Sequence, residues 1–306
     1  MAKPLHDVAA NNGNAEMPTI AIFNANDPET TTELLVAALE RDGCVIVENL
    51  ITEELTSRIR SELKPVFDKD QGRSDGGFFP STTQRAPGVV ASSDACVELA
   101  LNKTYIGVAD RVLTSTYAYW AGQERHTISA KPIISSTFGF RVNPGGKQQV
   151  LHRDDSDYHA RDVDRPVMLG CVTALSKTTK ANGATMCIPG SHLWGPERCP
   201  YDHEAIPAEL EPGSALIFDG GLYHAGGGNV TTDQARETVG IFLQKPTYRQ
   251  AENQFLVVPP EKAKRFSPQA QRLLGYGICP PSLGGFEYKD PMLHLFSVED
   301  EETVYL

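Results

Sequence analysis

Apolar residues in the first part of the chain recur at helical spacing. Between residues 34 and 39 they fall one helical turn apart, which predicts a helix that ends at Gly43. Asp27 and Pro28 have the character of its N-cap and first helical position. The uninterrupted apolar run 44–47 then predicts a buried strand.

Further helices are predicted before the middle of the chain. A second amphipathic helix follows Thr52, and two more helical segments are predicted at about 93–102 and 104–117. Residues 68–90 are rich in Gly, Ser and Pro and predict a long loop. Because structureless loops of this length are commonly functional, 68–90 is a candidate lid over a site.

From residue 133 onward the pattern changes to short strand-like runs separated by turn residues. The predicted strands are 133–142, 167–175, 185–188, 214–218, 222–224 and 238–243. Many short strands at close spacing are typical of a β-barrel or β-sandwich. A helix at about 268–274 follows, and the Gly/Pro-rich segment 275–286 after it is a second candidate lid or a dimer contact.

These elements predict a mainly β protein with flanking helices. A prior of roughly 150 residues per domain would suggest two domains, but β-barrel enzymes often reach this size as one. We therefore expect a flexible N-terminal tail over 1–18 and a single domain over 19–306. Its barrel core is expected at about 133–245.

Composition and charge exclude several classes of partner. The net charge is −11 and no basic stripe is evident, which argues against nucleic acid and anionic membranes as partners. The N-terminus has no apolar core of a secretory signal, and no apolar run approaches the roughly 20 residues of a membrane span. Six scattered cysteines without a CxxC pair indicate reduced thiols, so we expect a cytoplasmic protein.

Three residues have the pattern of a metal centre. His152 and Asp154 lie two positions apart, so on a strand their side chains point to one face. His224 ends a later strand-like run. Two imidazoles and one carboxylate form the facial triad of non-haem iron(II) oxygenases, which leaves three positions for a bidentate 2-oxo acid and dioxygen. The His-x-Asp pair alone is weak evidence, since the chain has eight histidines and many acids.

Arg236 supports the interpretation as a 2-oxo-acid-dependent oxygenase. It lies twelve positions after His224 and opens an apolar run. The distal carboxylate of 2-oxoglutarate must be paired once buried, and an arginine fork binds a carboxylate through two parallel hydrogen bonds. The alternative is a surface arginine at the start of a strand.

A longer set of motifs resembles a known family. The NGA…PGSH run of residues 182–192 is similar to a segment of the phytanoyl-CoA dioxygenase superfamily. The order and spacing of His152-x-Asp154, this run, His224 and Arg236 also resemble that superfamily. Within it, the chain is most similar to fungal natural-product oxygenases such as the fumitremorgin endoperoxidase and enzymes acting on meroterpenoids and quinolone alkaloids.

The resemblance implies a fold, cofactors and further site residues. It implies a double-stranded β-helix, a jelly-roll barrel like that of cupins, and a homodimer. It also implies Fe(II), 2-oxoglutarate and O2, with ascorbate as the reductant in vitro. Gln149 and Thr185 are implied contacts of 2-oxoglutarate, and an amide and a hydroxyl can both donate to its oxygens. The expected reaction is hydroxylation, desaturation, rearrangement or endoperoxidation of an apolar secondary metabolite, with a meroterpenoid or alkaloid scaffold.

Strand parity and the loop composition suggest residues of the substrate pocket. If Arg236 faces inward, so does Phe242 on the same strand. Phe138 and Phe140 share a face of the strand 133–142, and Phe79 lies in the candidate lid. For each of these aromatics, simple core packing is the alternative.

Three other functions remain open from the sequence. A lipid or acyl-CoA hydroxylase of the same superfamily is disfavoured because no basic site for the CoA phosphates is evident. A zinc or manganese cupin hydrolase or isomerase would have no use for Arg236, Gln149 and Thr185. A barrel that binds an apolar ligand without chemistry would not need the intact metal triad.

Overall fold

A computed structural model of the chain describes residues 19–70, 82–159 and 166–305. The elements before residue 131 are β1 (Ala21–Asn24), α1 (Thr32–Asp42), β2 (Cys44–Glu48), α2 (Glu53–Lys69), β3 (Thr83–Pro87), α3 (Val89–Ser92), α4 (Asp94–Ala100), α5 (Lys103–Leu113), β4 (Ser115–Ala121) and β5 (Glu124–Ala130). The later strands are β6 (Ile133–Val142), β7 (Met168–Ala174), β8 (Thr185–Cys187), β9 (Ile206–Ala208), β10 (Ala215–Asp219), β11 (His224–Ala225) and β12 (Arg236–Gln244). The later helices are α6 (Gln254–Val257), α7 (Pro260–Ala263), α8 (Pro268–Leu273) and α9 (Pro291–Phe296). The predicted tail 1–18 lies outside the described residues.

The first helix begins later than the sequence pattern predicts. The side chain of Thr31, not Asp27, caps α1 by accepting a hydrogen bond from the backbone of Leu34. The Asp27 carboxylate instead accepts from the backbone N–H of Glu29 in a separate turn. The predicted end is confirmed, because Gly43 adopts φ 74°, a left-handed conformation that glycine adopts without strain.

Two other predictions before residue 133 are corrected by the structure. The predicted helix 104–117 ends at Leu113, and β4 and β5 form a hairpin closed at Gly122. β4 is rich in Tyr, Trp and Thr, which fit a pleated strand better than a helix. The predicted loop 68–90 contains β3, while its residues 71–81, including Phe79, lie outside the described residues.

The large sheet has seven strands in the order β1-β2-β10-β7-β12-β6-β3. The β1–β2 pair is parallel and the other pairs are antiparallel. One face packs against α1 to α5 and the C-terminal helices in a core that includes Leu63, Tyr105 and Ile241. Since β12 lies in the middle of this sheet with covered faces on both sides, all nine of its residues are buried.

The small sheet covers the other face of the large one. Its order is β11-β8-β9, and a bridge between His152 and His224 adds the segment around His152 at its edge. A second core, which includes Leu216, Phe218 and Phe242, fills the space between the sheets. These two facing sheets with flanking helices confirm the predicted mainly β, jelly-roll fold.

The metal-ligand candidates therefore lie where the small sheet meets the interior. The predicted core 133–245 supplies the whole small sheet and four strands of the large one. The other three strands, β1 to β3, come from the N-terminal region. Among the described residues, no helix combines the length and apolar character that crossing a membrane requires.

Candidate metal centre

The structure brings His152, Asp154 and His224 together. The Nε2 atom of His152 lies 3.5 Å from Oδ1 of Asp154, and Nε2 of His224 lies 3.5 Å from Oδ2 of the same carboxylate. One ligand atom from each residue lies within 4.8 Å of the other two. This spacing fits three donors around one ion, with metal–donor distances of about 2.0–2.2 Å.

The backbone explains why the three side chains converge. His152 and His224 exchange backbone hydrogen bonds of 2.9 and 3.0 Å across their bridge, which places the two imidazoles side by side. Arg153 is extended, with φ −122° and ψ 135°, so Asp154 points to the same side as His152. Asp154 then opens a short 3-10 helix, Asp154–Tyr158, which turns the chain away from the site.

Hydrogen bonds fix the orientation of both imidazoles. The Nδ1 atom of His152 lies 2.9 Å from the carbonyl oxygen of Val150, and Nδ1 of His224 lies 3.1 Å from that of Leu222. If each Nδ1–H donates to its carbonyl, each Nε2 presents a lone pair towards Asp154. Metal-binding histidines are commonly oriented in this way by a carbonyl or carboxylate on the other ring nitrogen.

The electrostatics favour the metal-binding forms of two of the three side chains. Burial lowers the pKa of His224 below its ordinary value, so its imidazole is neutral at physiological pH. Burial opposes ionisation of Asp154, but the neighbouring His224 and His152 outweigh it and lower the pKa of the carboxyl. For His152 burial acts downward, yet its hydrogen bond with Asp154 raises the pKa overall.

Arg236 is a buried cation in the interior, not a surface residue. Its side chain is 4% exposed, and it reaches from the large sheet to the carbonyl of Gly183, with Nε 2.9 Å from that oxygen. Nη1 donates to the hydroxyl of Thr238 at 3.0 Å. Burial lowers the pKa of Arg236 to about 10, which still leaves it charged at neutral pH. Within the described residues, no carboxylate pairs with this guanidinium.

Gln149 and Thr185 have free donors near the strand that carries His224. The side-chain oxygen of Gln149 accepts from the backbone N–H of Gly226 at 2.7 Å, two residues after His224. Thr185 shares a face of β8 with Cys187, which pairs with His224 in the sheet register. Neither the Gln149 amide nitrogen nor the Thr185 hydroxyl makes a hydrogen bond to any described residue, so both are available to a bound molecule.

Three of the four predicted substrate aromatics, Phe138, Phe140 and Phe242, form a continuous group. The ring of Phe138 lies 4.8 Å from those of Phe140 and Phe242. Phe242 is buried, whereas Phe138 and Phe140 are half-buried. Phe218 extends the group to the metal centre, with its ring 4.6 Å from that of His224. The sequence reasoning missed Phe218, although strand alternation from Leu216 would have placed it inward.

The donor set fits a transition metal with open positions. Two imidazole nitrogens and one carboxylate favour iron over Mg or Ca, which prefer oxygen ligands alone. The uncompensated charge of Arg236 and the free donors of Gln149 and Thr185 fit a dianionic co-ligand beside the ion. The structure brings the three metal-ligand candidates together. It places Gln149 against Gly226 and Arg236 against Gly183, while the roles of all six predicted polar residues stay predictions.

The chain is similar to known dioxygenases along most of its length. The profile of one family, described as phytanoyl-CoA dioxygenase (PhyH), matches residues 39–238. The chain is 35% identical to dioxygenase swnH1 of Metarhizium robertsii over 290 residues, covering 92% of this chain and 94% of that protein. It is 37% identical to dioxygenase swnH1 of Arthroderma benhamiae over 299 residues, covering 93% and 95%.

A solved structure has the same fold. The chain superposes on the epimerase SnoN, crystallised in complex with Fe3+, alpha-ketoglutarate and nogalamycin RO, with a TM-score of 0.55. The sequence identity is 17%, and the superposition covers 74% of this chain and 88% of SnoN. At this level of identity the likeness concerns the architecture.

Proposed function

Because the chain belongs to the phytanoyl-CoA dioxygenase (PhyH) family, we propose that it is an iron(II)- and 2-oxoglutarate-dependent dioxygenase that oxidises an apolar secondary metabolite. Membership confirms the resemblance drawn from the run 182–192 and the residues around it. The relatives at 35% and 37% identity carry the name dioxygenase. The iron and alpha-ketoglutarate of the SnoN complex support the same cofactors here.

His152, Asp154 and His224 would hold the metal. Their carbonyl-oriented imidazoles and shared carboxylate present three donors on one side of an ion. Three donors on one side of an octahedral ion would leave three positions for a co-substrate and dioxygen. Iron(II), 2-oxoglutarate and dioxygen together supply an oxidant able to remove a hydrogen atom from carbon, with succinate and carbon dioxide as co-products.

Arg236 would bind the distal carboxylate of 2-oxoglutarate. Its Nε and Nη1 already donate to protein oxygens, which fixes the plane of the guanidinium and leaves its Nη2 for the ligand. Gln149 and Thr185 would donate to the remaining oxygens. A buried guanidinium with no protein carboxylate beside it, among the residues that the structure describes, is the single observation that carries this proposal. Such a charge is costly unless a ligand compensates it.

The substrate would lie against the half-buried rings of Phe138 and Phe140. These rings adjoin the metal centre through Phe242 and Phe218. A wall of this kind favours an apolar scaffold, such as a meroterpenoid or an alkaloid, whose position relative to the ion selects the carbon that reacts. A zinc or manganese hydrolase of similar shape would have no use for Arg236.

Calorimetry without oxygen tests the proposal directly. The wild-type protein should bind Fe(II), and the metal-loaded protein should then bind 2-oxoglutarate. His224→Ala should lose both binding events, whereas Arg236→Met should lose only the second. Failure of the wild type to bind Fe(II), or equal binding of 2-oxoglutarate by wild type and Arg236→Met, would overturn the proposal.

The oxidation itself is measured as succinate release under iron, ascorbate and 2-oxoglutarate. A panel of apolar alkaloids and terpenoids should contain compounds that stimulate release and gain or lose mass accordingly. Acyl-CoA substrates, added as a separate arm, should not stimulate it. Stimulation by acyl-CoA alone would replace the secondary-metabolite proposal with lipid hydroxylation.

A further inference from the structure

The residues next to the metal-ligand candidates point away from the metal and meet behind it. Arg153 lies between His152 and Asp154, and Tyr223 directly precedes His224. Strand alternation turns both side chains to the outer side of the small sheet. There the guanidinium carbon of Arg153 lies 3.9 Å from the centre of the Tyr223 ring, within the range of a cation–π contact.

Hydrogen bonds hold this pair against a tight turn. Nη2 of Arg153 donates to the carbonyl oxygens of Ser191 at 2.7 Å and Trp194 at 3.1 Å. The backbone N–H of Tyr223 donates to the hydroxyl of Ser191 at 2.8 Å. The turn itself is anchored to α1, because Gly190 donates to the carbonyl of Asp42. We call Arg153, Tyr223 and the turn 191–194 the rear brace.

The rear brace ties the two ligand-bearing segments to one support. Arg153 is only 7% exposed, so its guanidinium has little freedom to move. Its neighbours in the sequence are His152 and Asp154, so a fixed Arg153 also restrains these two ligands. Tyr223 stacks on Arg153 and directly precedes His224, so it restrains the backbone of His224 in the same way. A planar guanidinium can stack on a ring and donate to two carbonyls at once, whereas a lysine ammonium cannot reproduce this geometry.

We propose that Arg153 and Tyr223 are positioning residues that set the geometry of the three metal ligands from behind. This inference rests on the proposed function, since it concerns the same metal centre. Outer partners that orient metal ligands commonly change metal affinity about 10- to 100-fold when they are removed. Arg153 and Tyr223 act on both ligand segments together, so their removal should also alter the coordination geometry.

Co(II) binding tests the inference without turnover, oxygen or 2-oxoglutarate. Arg153→Met and Arg153→Lys should each weaken Co(II) binding about 10- to 100-fold. Both should also change the visible absorption of the bound Co(II), which reports its coordination. Tyr223→Leu should do the same, whereas Tyr223→Phe keeps the stacked ring and should restore wild-type affinity and spectrum.

A matched control separates positioning from general stability. Arg198 stacks on the Trp194 ring at 3.4 Å and is exposed, but it touches neither ligand segment. Arg198→Met should leave Co(II) affinity and spectrum unchanged. Chemical unfolding of each metal-free variant gives its folded fraction, so that weaker binding caused by unfolding is corrected for. If Arg153→Met does not fold, Tyr223→Leu against Tyr223→Phe decides the question.

The two proposals fail in different ways. If wild type and His224→Ala bind Co(II) equally, or neither binds it, the metal centre itself is wrong. If wild type binds, His224→Ala does not, and folded Arg153→Met and Tyr223→Leu match wild type in affinity and spectrum, only the rear brace is overturned. A spectrum that changes in Tyr223→Phe as much as in Tyr223→Leu also contradicts the stacking argument.

Discussion

At the scale of single residues, the buried charge of Arg236 lowers the stability of the ligand-free protein. Burial depresses its pKa to about 10, so its charged form is disfavoured in the folded protein by about 3 kcal/mol. Because the folded pKa of this base is lowered, the cost is fully present at every pH below 10. It is relieved only as the pH rises above about 10. The protein therefore holds an unfavourable charge at neutral pH that a bound anionic ligand would compensate.

The first prediction concerns removal of that charge. Arg236→Met should weaken 2-oxoglutarate binding at least about 30-fold, because losing one partner of a buried ion pair costs about 2–5 kcal/mol. The free energy of unfolding without ligand should change by less than about 1 kcal/mol. The lost desolvation cost offsets the lost hydrogen bonds to Gly183 and Thr238. Calorimetry and urea unfolding measure the two quantities.

Arg141 provides the matched control for this prediction. It lies next to Arg236's register partner on β6 and points to the helical face, where it pairs with Glu237 and Asp68 at 2.7 and 2.8 Å. Arg141→Met should lower the free energy of unfolding by about 1.5–3 kcal/mol and leave 2-oxoglutarate binding unchanged. The reverse pattern in the two variants would contradict the assignment of Arg236.

The second prediction concerns the backbone beneath the aromatic group. A Cβ at Gly170 would lie 2.5 Å from the Phe218 ring and 2.7 Å from the Phe242 ring. Gly170→Ala should therefore lower the free energy of unfolding by about 1–3 kcal/mol. It should also weaken metal binding, because Phe218 contacts His224. Co(II) titration and urea unfolding of the same sample measure both effects.

Gly139 offers an equivalent clash on the other face of the sheet. Its Cβ would lie 2.8 Å from the Phe67 ring, in the helical core. Gly139→Ala should lose similar stability with metal affinity intact. Equal metal binding in both alanine variants would show that Phe218 does not support His224.

At the scale of elements, strand parity explains why much of the site was predictable. Six of the seven strands from β6 onward carry clear apolar runs and turn residues, so their predicted ends fall close to the observed ones, whereas β9 was not predicted. The alternation of side chains along a strand predicted that His152 and Asp154 share one face. It predicted the same for Arg236 and Phe242. These relations depend only on the local pleat, which the sequence encodes directly.

Other elements depend on contacts that no local pattern contains. The pairing of β3 with β6 joins segments about 50 residues apart, and its residues 83–87 carry a proline that argues against a strand. The predicted helix 104–117 overlaps only the first three residues of β4, and no strand was predicted for the rest of the hairpin of β4 and β5. The stacking of Arg153 on Tyr223 joins residues 70 positions apart, so no local pattern predicts it.

The third prediction distinguishes core aromatics from substrate contacts along β6 and β12. Phe242 is 3% exposed, so Phe242→Ala should lower the free energy of unfolding by about 3–5 kcal/mol. Phe138→Ala and Phe140→Ala should cost less, because both rings are half-buried. These two variants should keep metal and 2-oxoglutarate binding but lose stimulation of succinate release by apolar compounds. Undiminished stimulation in both would place the substrate elsewhere.

At the scale of the whole molecule, the site joins two separate layers. His152 and His224 belong to the edge of the small sheet, whereas Arg236 belongs to the centre of the large sheet. A metal ion links only the small-sheet residues and Asp154. A co-substrate bound between the ion and Arg236 would link the small sheet to the large one. Its binding should therefore stabilise the packing of the two sheets against each other.

The last prediction is a two-step stabilisation without oxygen. Mn(II) alone should raise the thermal midpoint modestly, and adding 2-oxoglutarate at about 100 times its dissociation constant should add about 2.7 kcal/mol. For a chain of this size that is a further rise of several degrees. Arg236→Met should keep the first step and lose the second, since its link to the large sheet is gone. His224→Ala should lose both increments of the thermal midpoint. 2-Oxoglutarate without Mn(II) should change the midpoint little. A full second step in Arg236→Met would show that the co-substrate does not bridge the two sheets.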